Sequence, residues 1–145
     1  MAEMIPDVQG RIRVINIPGP GGGIDIYHTQ DARVRWEIKS LFYLLTTEVG
    51  VADRIVQLYI SNIGGYIMAF EPAEVQPAST ARYHQWSPNE GQTVLTGGTV
   101  QNNVIPVGLR LNNQMTIETI TVGLQPGDDF TEIALIVEEW IEPLV

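Results

Sequence analysis

The 145-residue sequence contains no cysteine. This absence excludes disulfide bonds, thiolate zinc sites, iron–sulfur clusters and thiol nucleophiles, and it leaves the redox compartment open. Residues 1–10 carry neither the basic segment nor the apolar segment of a signal peptide. No apolar run approaches the roughly 20 residues that a helix needs to cross a bilayer. We therefore expect neither a signal peptide nor a helical membrane span.

Positive charge is scarce in this chain. Eight basic residues stand against 17 acidic ones, the net charge is −9, and Lys39 is the only lysine. Proteins bind phosphate backbones and anionic membranes through clustered Lys and Arg side chains. We therefore expect neither a nucleic acid nor a membrane as a partner. The acidic excess fits solubility or contact with a basic patch on a protein partner.

Recognisable catalytic motifs are also missing. The only histidines are His28 and His84, at unrelated positions, and no Gly-x-Ser-x-Gly sequence marks a nucleophile elbow. The glycine-rich run at residues 18–23 lacks the Gly-Lys-Ser/Thr of a phosphate-binding loop, and it leads into a strand pattern. We therefore expect a protein that is not an enzyme and that has no catalytic residue and no cofactor.

A calcium site is the one metal site that the acidic residues leave open. Loop oxygens suffice to bind calcium, so a site built from Asp25, Asp31, Asp128 and Asp129 stays open, although no EF-hand spacing supports it. Ordinary loop carboxylates, with no metal, are the main expectation. The pair Glu138-Glu139 lies on a strand pattern, where neighbours point to opposite faces. The two cannot share a site, and we expect charge that faces solvent at an edge or interface.

The longest strand pattern lies at residues 34–60. Apolar residues at even spacing indicate a strand in its first half. The residues expected on one face of that strand are Val34, Trp36, Ile38, Phe42 and Leu44. Between residues 41 and 45 both faces of the strand are apolar. One small core does not need this much apolar surface. Residues 48–53 fit a turn and residues 54–60 a returning strand, so the pattern predicts an antiparallel hairpin.

Alternation of apolar and polar residues recurs along the chain between turn signals, and no segment shows a helical stripe. This pattern predicts an all-β fold, specifically an antiparallel β-sandwich that is jelly-roll-like and has about eight strands. An immunoglobulin-like sandwich is the second choice. We expect residues 11–145 to form a single β-sandwich domain and residues 1–10 to form an N-terminal arm.

Three pairs of segments in this sequence have the form of motifs. They are LFYLLTT (41–47) with VADRIVQL (51–58), VGLRL (107–111) with MTI (115–117), and LQPGDD (124–129) with IVEEW (136–140). These segments resemble the motifs of a family of small virion proteins encoded by tailed bacteriophages. That family has a threonine turn followed by an A-N-R-x-V-x-L strand, a P-x-x-L-x-L-P-x-G-x-x-I hairpin and a closing L-x-x-G-D…V-E-E-W strand. The resemblance spans residues 34–141, and its motifs are structural. Asp53 replaces the usual Asn, and Asn112-Asn113 replaces a Pro-Gly turn.

The resemblance implies a capsid decoration or cement protein with a jelly-roll-like body. Such proteins sit on the outside of a phage shell and stabilise the lattice of the major capsid protein, which would be the partner. The virion surface would be the location, after synthesis in the host cytoplasm. Since accessory shell proteins often occupy local threefold positions, the resemblance also implies a homo-oligomer, with a trimer favoured over a dimer.

Two segments are candidates for attachment to the shell or to a neighbouring subunit. The arm at residues 1–10 has apolar anchors but too few of them to fold alone. The loop at residues 18–23 combines prolines, which limit its freedom, with glycines, which allow close backbone approach. The residues expected to make contact are Met4, Ile5, Val8, Pro18, Gly19, Pro20 and Gly21. An idle terminus beside an ordinary loop is the alternative.

Two rival functions remain open at this stage. A binding module, such as a fibre head or a host-glycan recognition domain, predicts exposed aromatic side chains that converge on a groove or loop tip. A small β-sandwich hydrolase predicts a histidine within hydrogen-bond distance of a hydroxyl or carboxylate in a pocket. A decoration protein predicts a broad contact surface made from strand edges, loops and termini.

Overall fold

The structure, a computed structural model, describes residues 10–88, 93–94, 100–112 and 114–141. These residues form eleven strands and no helix, so none of them forms a helix that could cross a membrane. The strands are β1 (Arg11–Ile17), β2 (Tyr27–Thr29), β3 (Val34–Thr46), β4 (Ile55–Asn62), β5 (Gly65–Phe70), β6 (Ala81–Ser87), β7 (Thr93–Val94), β8 (Val100–Val104), β9 (Arg110–Asn112), β10 (Thr116–Val122) and β11 (Asp129–Ile141).

The strands form two sheets. The seven-stranded sheet has the order β1-β11-β3-β6-β8-β7, with β9 also paired to β3, and the four-stranded sheet has the order β2-β10-β4-β5. The two quartets β1-β11-β3-β6 and β2-β10-β4-β5 have the strand order of a jelly roll. The predicted sandwich is therefore confirmed. Its eight strands are supplemented by β7, β8 and β9, and the β6–β8 pair is parallel, whereas the predicted sandwich was antiparallel.

The hairpin predicted at residues 34–60 is wrong. β3 pairs with β11, β6 and β9, whereas β4 pairs with β10 and β5 in the other sheet. Residues 47–54 therefore form an arch that joins the two sheets. A hairpin and an arch share the local pattern of strand, turn and strand, so only contacts with distant residues can decide between them.

One such contact is a buried ion pair. Arg54 Nε and Nη2 lie 2.8 and 2.9 Å from the two carboxylate oxygens of Asp128, and neither side chain is exposed. The guanidinium also donates to the carbonyl oxygens of Gly50 and Ala52, and the carboxylate accepts two backbone N–H groups. Burial alone would raise the pKa of Asp128, but these hydrogen bonds outweigh it and hold the pKa below its usual range. The arch is thereby fixed to the turn before β11.

A bulge in β3 changes which residues face the core. Ile136 is opposite Ser40 and the next residue, Val137, is opposite Ile38, so Lys39 is an extra residue in β3. An extra residue moves every following side chain to the other face. The buried residues of β3 are accordingly Val34, Trp36, Ile38, Leu41, Tyr43 and Leu45. Phe42 and Leu44, expected beside Trp36, lie on the outer face instead.

Glu139 is buried, contrary to the expectation that it faces solvent. Its carboxylate accepts hydrogen bonds from Trp36 Nε1 at 2.9 Å, Arg11 Nη2 at 2.6 Å and Arg13 Nη1 at 2.8 Å. Burial would raise the pKa of Glu139, yet the hydrogen bonds from Trp36 and the two arginines lower it. Because the arginines belong to β1, this carboxylate fastens the first strand to the last.

Candidate functional site

The outer side of the seven-stranded sheet carries an apolar surface. Phe42 is opposite Ala134, Leu44 is opposite Tyr83, and the other members follow in the same register. Directly opposed residues in a sheet point to the same side, so these side chains form one surface, here called the apolar face. Its apolar members are Ile12, Val14, Phe42, Leu44, Tyr83, Val100, Ala134 and Ile136, and the same rows also contain the polar residues Asn16, Ser40, Gln85 and Asn102.

The apolar face is most exposed near β1. Ile12 and Val14 are 57% and 55% exposed, whereas Phe42 is half-buried. Phe42 stacks on Tyr83 with 5.2 Å between ring centroids, and the Tyr83 hydroxyl donates to Glu132 at 2.9 Å. That hydrogen bond raises the pKa of Tyr83. The aromatic part of the face is therefore held in place before any partner arrives.

Charged side chains border one end of the apolar face. Lys39 Nζ lies 2.7 Å from Glu37 and 3.5 Å from Glu138, and Arg110 Nε lies 3.3 Å from Glu37. The hydrogen bond from Lys39 is the main reason that the pKa of Glu37 lies below its usual range. These pairs lie at the surface, with Lys39 more exposed than Glu37 or Glu138. They limit the apolar area at this end.

β1 adds an open sheet edge to the apolar face. It is the last strand on one side of the seven-stranded sheet, and its outer edge makes no backbone hydrogen bond with another described residue. An exposed edge with apolar side chains is a ready site for pairing with another chain. Here the edge strand joins the two segments that the sequence marks for attachment, the arm before it and the loop after it.

The structure locates only part of the predicted contact set. Met4, Ile5 and Val8 lie outside the described residues. Pro18, Gly19 and Gly21 are exposed and Pro20 is half-buried, so this part of the loop is available to a partner.

The last two glycines of the same loop have an internal role. Gly23 N donates to Asp128 O at 2.7 Å, and a Cβ on Gly22 would lie 2.7 Å from Pro126 O. These glycines allow the loop to lie against the turn that precedes β11. The glycine run thus combines an exposed first part with an anchored second part.

The outer side of the four-stranded sheet has a different character. Thr29, Thr116 and Ser61 lie side by side across β2, β10 and β4, and Thr29 Oγ1 is 3.2 Å from Thr116 Oγ1. A depression of about 410 Å³ opens here. Its lining residues are Tyr27, Thr29, Ser61, Asn62, Ile63, Gln114 and Thr116. We call it the hydroxyl groove.

Neither histidine meets the geometry that a hydrolase would need. His84 is fully buried, and its Nε2 donates to Gln76 Oε1 at 2.7 Å, because the Gln76 amide nitrogen donates to Leu45 O. Burial lowers the pKa of His84 to about 3, so the ring is neutral at ordinary pH. His28 stacks on Trp36 with 6.0 Å between the ring centroids, and burial lowers the pKa of His28 as well.

Three of the four aspartates considered for calcium have partners of their own. Asp25 accepts from the hydroxyls of Thr119 and Thr121, Asp31 pairs with Arg13, and Asp128 is bound to Arg54. Within the described part of the chain, no three His, Asp or Glu side chains are placed to hold a metal ion. These carboxylates therefore organise loops and strands.

Sequence reasoning identified neither the apolar face nor the hydroxyl groove as a surface. The apolar residues at 41–45 were a signal for the first, but the bulge at Lys39 concealed which of them face outward. The groove left no local signal, because its residues come from β2, from the end of β4 and from the start of β10. Only the register between these strands assembles them.

No protein-family model matches the sequence, and no curated protein matches it. One similar solved structure is that of infectious bursal disease virus, Gt strain, with 14% sequence identity and a TM-score of 0.38. The match covers 90% of this chain, which spans 29% of the length of the viral chain. A likeness at this TM-score carries no functional weight.

Proposed function

We propose that this chain is a capsid decoration protein of a tailed bacteriophage. It binds the outside of the shell and stabilises the lattice of the major capsid protein, and it does no catalysis. Its place is the surface of the virion, after synthesis in the host cytoplasm. The motifs at residues 41–58, 107–117 and 124–140 support this proposal through their resemblance to that family.

The apolar face is the observation that carries the proposal. A sheet in a sandwich is expected to alternate between core-facing apolar residues and outward polar ones. Here β1, β3, β6 and β11 place apolar side chains on the outside as well. A cluster of outward apolar side chains at an open sheet edge is typical of a protein–protein contact. The major capsid protein is the partner that the resemblance provides.

The proposal includes a homo-oligomer, with a trimer favoured over a dimer. The open edge of β1 and the exposed side chains of Ile12 and Val14 give each copy a surface that a second copy or a capsid subunit can cover. Sedimentation of the protein at micromolar concentration tests this part directly. A monomer would contradict it, and a dimer would contradict the threefold arrangement only.

A pair of matched substitutions tests the docking surface. Val14 and Val122 are similarly exposed, at 55% and 52%, but they lie on the outer sides of opposite sheets. Val14→Asp places a charge in the apolar face, and we expect at least tenfold weaker binding to undecorated capsids. Val122→Asp should bind like the parent protein. Equal binding by both variants would show that the apolar face does not dock.

Deletion of residues 1–9 tests the arm separately. We expect unchanged thermal unfolding and at least tenfold weaker binding to undecorated capsids. Unimpaired binding would remove the arm from the mechanism and leave the apolar face to act alone. Locating the chain in purified particles by cryo-microscopy tests the whole proposal, because a position inside the shell or in the tail would overturn it.

A further inference from the structure

The hydroxyl groove has the composition of a site for an uncharged polar ligand. Its volume of about 410 Å³ falls within the roughly 300–1,000 Å³ range of small-molecule sites. Every side chain that lines it is uncharged. In the adjacent row of described residues the one ionisable acid is Glu118, which lies between Tyr27 and Tyr59. Among the described residues, neither row has a cationic side chain that would attract a sulfate, phosphate or carboxylate.

The polar groups of the groove are suited to hydroxylated ligands. Thr29, Thr116 and Ser61 place three hydroxyls in one row, and each hydroxyl can donate and accept. Thr116 is buried and shares a hydrogen bond with Thr29, so Thr29 and Ser61 are the hydroxyls that a ligand reaches first. Asn62 and Gln114 add side-chain amides at one end. The oxygen of Asn62 accepts from Gly64 N at 2.8 Å, which orients that amide. A ligand with alternating donors and acceptors can satisfy such a row, whereas a purely apolar ligand cannot.

Tyrosine rings supply an apolar element on the same surface. Tyr27 is 63% exposed, and Tyr66, opposite Ser61, is 62% exposed. Tyr66 packs edge-to-face on Tyr59 with 4.9 Å between ring centroids, so its position is fixed. A tyrosine offers a flat apolar ring with a polar tip. The C–H face of a sugar ring is apolar and its rim is hydroxylated, which complements that combination.

We propose that the hydroxyl groove binds a neutral oligosaccharide. Tyr27 stacks on a sugar ring, and the row of threonine and serine hydroxyls binds its hydroxyl groups. The groove lies on the outer side of the sheet opposite to the apolar face. A copy docked on a shell through the apolar face would therefore present the groove to the surroundings. The inference does not depend on shell docking, since it rests on the groove alone.

The test uses the isolated protein and defined saccharides. The fluorescently labelled chain is applied to an array of neutral, sialylated and sulfated glycans, and each neutral glycan that is retained is then titrated into ¹⁵N-labelled protein. We expect retention of neutral glycans and chemical-shift changes around the groove. Retention of only charged glycans, retention of none, or shifts confined to the apolar face would each overturn the proposal.

Two tyrosine variants provide the matched comparison. Tyr27→Ala should weaken saccharide binding at least tenfold, while the amide spectrum away from the groove stays unchanged. Tyr83→Ala removes a tyrosine from the opposite sheet and should bind saccharide like the parent protein. Parent-like saccharide binding by Tyr27→Ala would overturn the proposal. Binding of both variants to undecorated capsids separates the two functions, because only Tyr83→Ala should affect docking.

Discussion

The two outer faces of this sandwich differ in chemistry although they share one core. On the seven-stranded sheet, Phe42 and Leu44 face outward beside the apolar residues of β1 and β11. On the four-stranded sheet, Thr29, Thr116 and Ser61 form a polar outward row at one end, whereas Val122 and Ile55 face outward at the other end. The core constrains only the inward half of each strand, so the outward half is available for function. The two proposals follow this difference, with a protein contact assigned to the apolar face and a polar ligand assigned to the hydroxyl groove.

The largest expected effect on stability comes from breaking the buried ion pair of Arg54 and Asp128, which supports both faces. Asp128→Ala leaves Arg54 buried without its partner, which typically costs about 3–5 kcal/mol. The arch between the sheets and the turn before β11 would both lose their anchor, so capsid binding and saccharide binding should fall together. Chemical denaturation measures the loss. Asp53→Ala, beside Arg54 but exposed, is the control, and an equal loss in both variants would contradict the assigned role.

Acid should act on the shared core and weaken both faces at once. Burial lowers the pKa of His84 from the ordinary 6.5 to about 3. Between these two pH values His84 is protonated in the unfolded chain and neutral in the folded chain. Stability is therefore complete above about pH 6.5 and falls as the pH is lowered, by about 1.4 kcal/mol for each unit. Urea denaturation between pH 7.5 and 5 measures this slope.

His84→Gln removes one of the two titrating histidines and should reduce that slope to the smaller part that His28 contributes, because burial lowers the pKa of His28 as well. The lowered pKa values of Asp128 and Glu139 then leave a second loss that begins only near the ordinary pKa of a carboxyl group, because their stabilisation is present above it. A slope that is unchanged in the variant would assign the loss to other groups.

A smaller effect is expected within the apolar face. Phe42→Ala should cost about 1–2 kcal/mol, less than the 3–5 kcal/mol of a fully buried phenylalanine, because the ring is only half-buried and stacks on Tyr83. Capsid binding should fall by more than this cost in stability can explain. A loss above about 3 kcal/mol in chemical denaturation would show that Phe42 belongs to the core instead.

The smallest effect on stability is expected at the hydroxyl groove. Tyr27→Ala should change the free energy of unfolding by no more than about 0.5 kcal/mol, because the side chain is mostly exposed. Thermal and chemical denaturation check this value. A large loss of stability would mean that Tyr27 has a structural role. The difference in function between the two faces would then be smaller.

Local alternation predicted the fold class but could not predict the pairing of β3. Val34, Trp36 and Ile38 face the core as their spacing indicates. Beyond them the bulge at Lys39 adds one residue, and no glycine or proline marks it in the sequence. The arch of residues 47–54 depends on Asp128, which is far away in the chain. Pairings of this kind are long-range, so a local pattern does not contain them.

The motifs behind the resemblance are easier to understand from these contacts. Arg54 lies in one motif and Asp128 in another, and the structure brings them together as the buried ion pair. Glu139 of the closing motif accepts from Trp36 near the start of the resemblance. The motifs therefore record the parts of the chain that hold the sandwich together. The two outer faces lie largely beside them, which is why the motifs alone do not describe either surface.

The position of β11 between β1 and β3 has a consequence for how the protein is made. Gly10 and Glu138, which are joined by a hydrogen bond, are 128 residues apart. During synthesis β1 cannot pair until its partner, β11, has been made. Such long-range pairing is slow. A chain that stops before β11 has no partner for β1 and no complete apolar face. The proposed assembly through that face therefore requires copies in which β11 has been made and paired.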